Sequence, residues 1–579
     1  MRTRRVLTTG GLVLLCLLAR ADGMPPGVWT PDQRDGSYVN PVLAGDYSDP
    51  DVVRVGDDYY LTASSFTNVP GLPILHSRDL VNWTLIGHAL ARNVPEAHHA
   101  TPRRGGGVWA PSIRHHGGRF VIYYPDPDFG IFMVSAADAR GPWTPPVLVD
   151  ATPGAIDPAP FWDDDGQGWL VFAYAASRAG FNNRIALRRL NAGGTHTEGE
   201  TRVIVNADEL PKARTSRGAL PWFTTEGPKL YKRGGWYYVF APSGSVKGGW
   251  QGVFRSSHID GPYEARNVMD EGDSGINGPH QGAWVDTPSG QDWFLHFQDG
   301  DSYGRRVLLQ PMRWTADGWP IIGEPKPGQT WGEPVARHRK PDLPTQPVAV
   351  PVVDDDFANG PHLGWQWSAN PMDDWLDASV HGRLRLKSIS SSANLWEAGQ
   401  LLTQKLPGES FSATTRLSLA PRAVGERAGL LVMGYDYGWI GLENTADGLR
   451  LVQVTRLKAD LGQHQPPLQQ SSETVLTAPL QVDGPVHVRV SLSPVVVPTL
   501  PPRELHYGPA MLRSVNAQVR FSYSLDGVHF TPLGPGFTAL PGRWVGTQIG
   551  LFAQAPAGTP AHTATRVGWA EFEFFRVTP

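Results

Sequence analysis

The sequence predicts an all-β protein, a five-bladed β-propeller followed by a β-sandwich, on three observations. Gly (65) and Pro (53) make up about a fifth of the 579 residues while charged residues reach only 18%, a composition of turns, not of long helices or disorder. A polar or glycine turn followed by an aromatic-rich apolar strand recurs five times before residue 300. Beyond residue 352 that repeat gives way to plain apolar–polar alternation, the pattern of half-buried strands. A chain of this length is oversized for one core, so two domains are expected.

At the amino terminus, Arg2, Arg4 and Arg5 precede the apolar stretch Gly11 to Leu18 and then Ala19-Arg20-Ala21, the order of a secretory signal peptide over residues 1–21. The apolar run falls far short of the roughly 18 to 20 residues that span a bilayer, so the expectation is an exported chain, periplasmic or extracellular, with no membrane attachment after cleavage. Arg4-Arg5 loosely resembles a twin-arginine signal and leaves the export route open. The single cysteine, Cys16, lies inside this segment, which leaves the mature chain without disulfide or thiolate chemistry.

The five repeats are marked by Tyr59, Phe120, Trp169, Trp236 and Trp293, at steps of 61, 49, 67 and 57 residues, close to the size of a four-stranded propeller blade. Ten to thirteen residues upstream of each marker stands a second recurring position: Asp49-Pro50, Trp109-Ala110-Pro111, Asp157-Pro158, Glu226-Gly227-Pro228 and His280-Gln281-Gly282. Each is expected to begin the innermost strand of its blade, so Asp49, Trp109, Asp157, Glu226 and His280 converge on one end of the central channel. The propeller is assigned to residues 36–335, a Pro-rich basic linker with Arg337, Arg339 and Lys340 to 336–351, and the sandwich to 352–579, with Pro494 to Pro502 as a long loop.

Lys and Arg total 51 against 55 Asp and Glu, a net charge of -4, without the basic excess that holds a phosphate backbone; nucleic acid is excluded as a partner. Two carboxyl groups facing one cleft can hydrolyse a glycosidic bond, one protonating the leaving oxygen while the other activates water or attacks the sugar. Here the axial ring supplies three. Neighbouring charges and an aromatic setting raise a carboxyl's pKa, and Glu226, with Trp222 and Phe223 just before it, is the candidate acid and Asp49 the base. Asp-Pro and Glu-Gly-Pro also shape turns, but three acids at matching places in a repeat ask for a further reason.

Asn40-Pro41-Val42-Leu43, Tyr47-Ser48-Asp49-Pro50-Asp51, Trp109-Ala110-Pro111, Asp157-Pro158-Ala159-Pro160-Phe161 and Thr225-Glu226-Gly227-Pro228, in this order, resemble the signature of glycoside hydrolase family forty-three over residues 36 to 335. The segment after 352 is similar to the jelly-roll, concanavalin-like sandwich of its β-xylosidase-like members. The resemblance implies an inverting mechanism with Asp49 as general base, Glu226 as general acid and Asp157 as the carboxylate that raises the acid's pKa and orients it. It also implies that His280 contacts the site or approaches a structural calcium through water, although imidazole suits a hard cation poorly and a hydrogen-bonded axial histidine is the alternative. Arg305 resembles the family arginine that reaches sugar hydroxyls, with Arg306 leaving the register open by one. No cofactor is required.

Phe66, Trp109 and Trp222 are expected as sugar contacts beside the ring, and Trp250 as a pocket rim or an ordinary loop residue. His98-His99 and His115-His116 are read as surface pairs, since adjacent strand residues face opposite ways, and Asp354-Asp355-Asp356 as a solvated run ahead of a structural calcium site. The expected function is release of terminal β-1,4-linked xylose from plant cell-wall oligosaccharide or polysaccharide, with α-L-arabinofuranosidase activity as the nearest rival. A retaining fructan hydrolase and a non-catalytic carbohydrate-binding propeller are remoter alternatives.

Overall fold

The computed structural model describes residues 28–460, 472–476, 480–498, 513–559 and 568–579; the expected signal peptide and Cys16 lie outside the described residues. Five four-stranded antiparallel sheets follow one another in chain order. Blade 1 is built from Asp51–Val55, Asp58–Thr62, Gly71–Ser77 and Thr84–Leu90, blade 2 from Ser112–His116, Arg119–Asp126, Gly130–Ala136 and Val147–Asp150. Blade 3 comprises Ala155–Trp162, Gly168–Tyr174, Arg184–Leu190 and Thr197–Asn206; blade 4 Lys229–Arg233, Trp236–Ser243, Trp250–Ser256 and Glu264–Met269; blade 5 His280–Asp286, Asp292–Asp299, Arg305–Trp314 and Pro320–Ile322. Every repeat marker falls at or next to the start of its blade's second strand.

The first strands of the blades lie side by side, with that of blade 1 against those of blades 2 and 5, so the ring closes and its innermost residues face one axis. Apolar wedges fill the spaces between blades: Tyr59, Leu61, Trp83, Leu295 and Leu309 join blades 5 and 1, and Phe240, Val253, Phe294 and Ile322 join blades 4 and 5. Ser37–Val39 pairs antiparallel with Arg337–Arg339, and Tyr38 Oη and Asn40 Nδ2 donate to Leu309 O at 2.8 and 2.9 Å. Burial of these donors with partners ties the amino-terminal segment to the last blade.

The carboxy-terminal domain packs a nine-stranded sheet on an eight-stranded one. Strand Phe411–Ala420 buries every second residue along most of its length, and Leu417, Leu430, Val488, Val519 and Leu551 share the core between the sheets, the geometry of an aligned sandwich. Two expectations fail here. Pro494 to Pro498 is not loop: strand Val486–Pro498 runs through it, paired with Arg513–Ser524 from His487 to Pro498, and only Pro498 stands at the end of the ladder, where a proline is readily tolerated; 499–502 lies outside the described residues. The acidic run is not merely solvated, because Asp355 is buried and accepts from Phe357 N, His362 N and Trp365 Nε1 at 2.7 to 2.9 Å.

The histidine pairs divide. His115 and His116 are exposed, His116 stacked on Trp162 at 4.0 Å, whereas His98–Ala100 is a helical turn, not a strand, and His99 is buried with Nε2 3.0 Å from Asp126 Oδ2. The alternation of a strand does not apply to a turn, so His99 is a core residue.

Candidate active site

Asp49 and Glu226 precede the first strands of blades 1 and 4, Asp157 lies in that of blade 3 where the ladder register shifts between Ile156 and Ala159, and His280 opens that of blade 5. All four, with Phe66, Trp109 and Arg305, line one cavity at an end of the channel. Seven of its fourteen lining residues, Asp49, Phe66, Asp157, Thr224, Ser245, Gln281 and Trp544, hold a positive φ, half of all the non-glycine residues that do so among the described residues. Backbone in this region costs about 1–3 kcal/mol per residue and persists where surrounding structure dictates it; here it turns side chains off the strand direction and toward the axis.

Asp49 is surrounded by donors. Ser48 Oγ and Ser64 Oγ donate to its Oδ2 at 2.7 and 2.6 Å, and Arg305 Nη1 lies 3.3 Å from its Oδ1 while donating to Ser48 Oγ at 2.8 Å. Arg305 is therefore the arginine of the pocket; Arg306 turns away to Glu409. Asp157, 2% exposed, accepts through one oxygen from Gly227 N at 2.7 Å and Gln281 Nε2 at 3.0 Å, so it grips the peptide next to Glu226. Gly227 has φ +64° and a Cβ there would stand 2.6 Å from the Gln281 side chain, which explains the glycine in Glu226-Gly227-Pro228.

Glu226 keeps 23% of its side chain open to the cavity, and its Oε1 is 2.9 Å from His280 Nε2. Burial first and the charge of Asp49 second push its carboxyl up to about 7, Arg305 opposing. Burial, then Glu226 and Asp49, also push Asp157 well above the carboxylate range, with the ammonium of Lys229 beneath it opposing. Asp157 thus touches the Glu226-Gly227 peptide, while burial and Asp49 raise the Glu226 carboxyl. Burial and then the charge of Arg305 hold His280 down to about 3, a neutral imidazole beside the acid.

His280 Nε2 is engaged by Glu226, and Nδ1 is buried without a partner beside Gly249. A hard cation needs several oxygens, and among the described residues no cluster of three or more His, Cys, Asp or Glu side chains is placed to hold one. The donor set at His280 does not fit direct ligation of calcium.

Trp222 does not reach the cavity. It is 3% exposed, its Nε1 donates to Pro211 O at 2.9 Å, and its ring packs on Trp250 and Phe254 over Gly252. Trp250 is fully buried in the same wedge. Large aromatics four residues before an axial acid serve the seam between blades, where apolar volume is needed. The residue sequence reading missed is Trp544, contributed by the sandwich. Its ring meets Trp109 edge-on at 6.4 Å and Arg305 at 5.5 Å. Asp46 fixes it there, accepting from Arg305 N and Gly546 N, both at 2.8 Å. A contact across some 500 positions leaves no local pattern. Gln281, adjacent to His280, could have been found from its place in the repeat.

Residues 38–320 match the model for glycosyl hydrolases family 43, and residues 354–578 match the β-xylosidase C-terminal concanavalin A-like domain. A protein of Xylanibacter ruminicola is 35% identical over 522 residues, spanning 90% of this chain and 86% of its own. The chain belongs to glycosyl hydrolases family 43. Among its family 43 relatives, a β-xylosidase of Formosa agariphila is 30% identical over 91% of this chain and 89% of its own. A non-reducing end α-L-arabinofuranosidase of Bacteroides ovatus is 29% identical over 73% and 79%. The fold is shared with a xylan β-1,4-xylosidase of Bacillus halodurans, with TM-score 0.76 at 24% identity over 93% of this chain and all of that one. The protein is a glycoside hydrolase of the xylosidase and arabinofuranosidase kind, and its substrate an oligosaccharide or polysaccharide.

Proposed function

We propose that this enzyme removes terminal β-1,4-linked xylosyl residues from xylo-oligosaccharides with inversion. The observation that carries the reading is the division of labour in one cavity: Glu226 pushed up to about 7, so that it holds a proton near neutrality, opposite Asp49, which is wrapped in donors and left only to accept. In the reaction Asp49 takes a proton from water as the water oxygen bonds to the anomeric carbon. The glycosidic C–O bond breaks on the other face, and the Glu226 proton passes to the leaving oxygen. Asp157 orients Glu226 through Gly227 N, and neutral His280 keeps a hydrogen bond to Glu226 in both protonation states. Arg305 has a second role at the sugar hydroxyls. Trp544, lying across the cavity beside Trp109, favours a chain end over an internal linkage.

Proton NMR of the first product decides the mechanism: α-xylose released from a β-xyloside supports inversion, and β-xylose sinks it. The arabinofuranosidase reading has its own support in the Bacteroides ovatus relative, and the two sugars present related hydroxyls to the same acids. Paired nitrophenyl β-xyloside and α-L-arabinofuranoside assays separate them, with the larger kcat/KM expected on xyloside. Export follows from the order of residues in 1–21; the mass of the secreted protein tests it, with cleavage after Ala21 expected.

A further inference from the structure

Away from the active site, an apolar pocket opens where the propeller, the linker and the sandwich meet. Its walls are apolar, among them Leu43, Tyr47, Pro73, Leu85 and Leu406, and two apolar residues at its rim are solvent-exposed, Val352 by 61% and Leu363 by 46%. Exposed side chains of this kind next to a concave apolar surface mark a place where something binds. Two polar groups enter the same space. Lys405 reaches in from the sandwich with Nζ 5.2 Å from the Tyr47 ring, and among the described residues its ammonium has no carboxylate within ion-pair distance. The carboxylate whose charge acts on it, Asp46, already accepts from two backbone N–H groups. His88 lines the cavity from blade 1 with Nδ1 buried and without a hydrogen-bond partner. Burial and then the charge of Lys405 hold His88 neutral, down to about 3, so one cation and one neutral imidazole face a mainly hydrocarbon wall.

We propose that this interdomain cavity is a binding site for a small amphipathic monocarboxylate, its apolar body against Leu43, Leu85 and Leu406 and its carboxylate on Lys405, with His88 as a second hydrogen-bonding group. Charge complementarity selects this ligand class. A neutral apolar molecule leaves the ammonium unpaired against apolar walls, and a dianion or a sugar brings more polar groups than the walls can satisfy. The site is independent of the xylosidase reading, because none of its residues lines the catalytic cavity.

Titration calorimetry with 3-phenylpropanoate as probe, and 3-phenylpropan-1-ol as its uncharged counterpart, tests the assignment on the full chain. The acid is expected to bind one site about tenfold more tightly than the alcohol, as a charge-assisted contact provides, and xylose is expected not to displace it. Lys405→Met should abolish the preference. Val352→Glu, at an exposed position that tolerates substitution, should weaken the acid and leave the alcohol unchanged. Equal binding of acid and alcohol, displacement by xylose, an undiminished preference in a folded Lys405→Met protein, or no saturable binding of the acid would each overturn the proposal.

Discussion

The two mouths of the propeller channel are built from the same five strands and differ in how their charges are settled. At the catalytic mouth three carboxyl groups face Arg305 and a neutral histidine, two of the three carboxyls are pushed upward by burial, and half the lining backbone is in the left-handed region. At the opposite mouth, lined by Arg54, Arg114, Lys232, Trp284 and Asp286, cations meet anions in close pairs: Arg54 with Asp286 at 2.7 Å, Arg114 with Asp51 at 2.6 Å, and Lys232 with both Asp163 at 2.5 Å and Asp164 at 2.8 Å. One end stores unbalanced charge and strained backbone, and the other spends its charges in ordinary pairs. Chemistry resides where the balance is withheld.

That contrast breaks most completely if the acids are neutralised. Glu226→Gln and Asp49→Asn are each expected to lower kcat by about a hundred- to ten-thousandfold without unfolding. The first should lose less on aryl xylosides whose leaving groups need no proton. Steady-state kinetics on xylobiose and on an activated aryl xyloside measure both, and equal losses on the two substrates would remove Glu226 from the acid's role. Trp544→Ala comes next. Loss of an aromatic face at the sugar is worth about 1 kcal/mol, so kcat/KM on xylobiose should fall about fivefold to tenfold, with thermal stability little changed because the residue is 43% exposed.

The ranking of those two effects mirrors what the sequence could disclose. The blades were legible because each buries an aromatic after a turn, so the period survives in the letters: Tyr59 and Trp293 sit where the repeat puts them, both buried in one wedge. Asp49, Asp157 and Glu226 were legible because a repeat converts distance along the chain into proximity around an axis. Trp544 belongs to no repeat and reaches the site through tertiary ties such as those of Asp46 to Gly546 and of Thr547 to Ser302. Trp222 misled because large aromatics serve a seam between blades as readily as a sugar, and only coordinates distinguish the faces. The left-handed φ of Asp49 and Asp157 was invisible, since neither is a glycine and the strain is imposed by neighbours.

The catalytic mouth should also be readable by pH. Glu226 must be protonated to act as acid, so kcat/KM is expected to fall as pH rises through about 7, the value to which burial and Asp49 bring it. Its folded pKa exceeds its ordinary value of 4.5, so this residue's contribution to stability is fully present below pH 4.5 and is lost as pH rises through about 7. Glu226→Gln removes that loss. The variant and the parent should melt alike near pH 4, and the variant should melt higher at pH 8; scanning calorimetry at the two pH values checks it, and a lower melting point for the variant at pH 8 would contradict the sign.

The smallest effect is expected at the opposite mouth. Arg54 pairs with Asp286 across the surface, the two side chains 27% and 51% exposed, where water and salt screen the attraction and ordering two side chains offsets most of the rest. Arg54→Ala should therefore cost about 0.5 kcal/mol or less and leave kcat and the pH limb unmoved. Chemical denaturation and the rate profile of the same variant measure the two consequences. A shift in the alkaline limb from this position would mean that the two mouths communicate along the axis, where Lys229 lies buried between Asp51 and Asp157 with no hydrogen-bond partner for its Nζ among the described residues. An unmoved limb keeps the acid's pKa a local property of burial and Asp49.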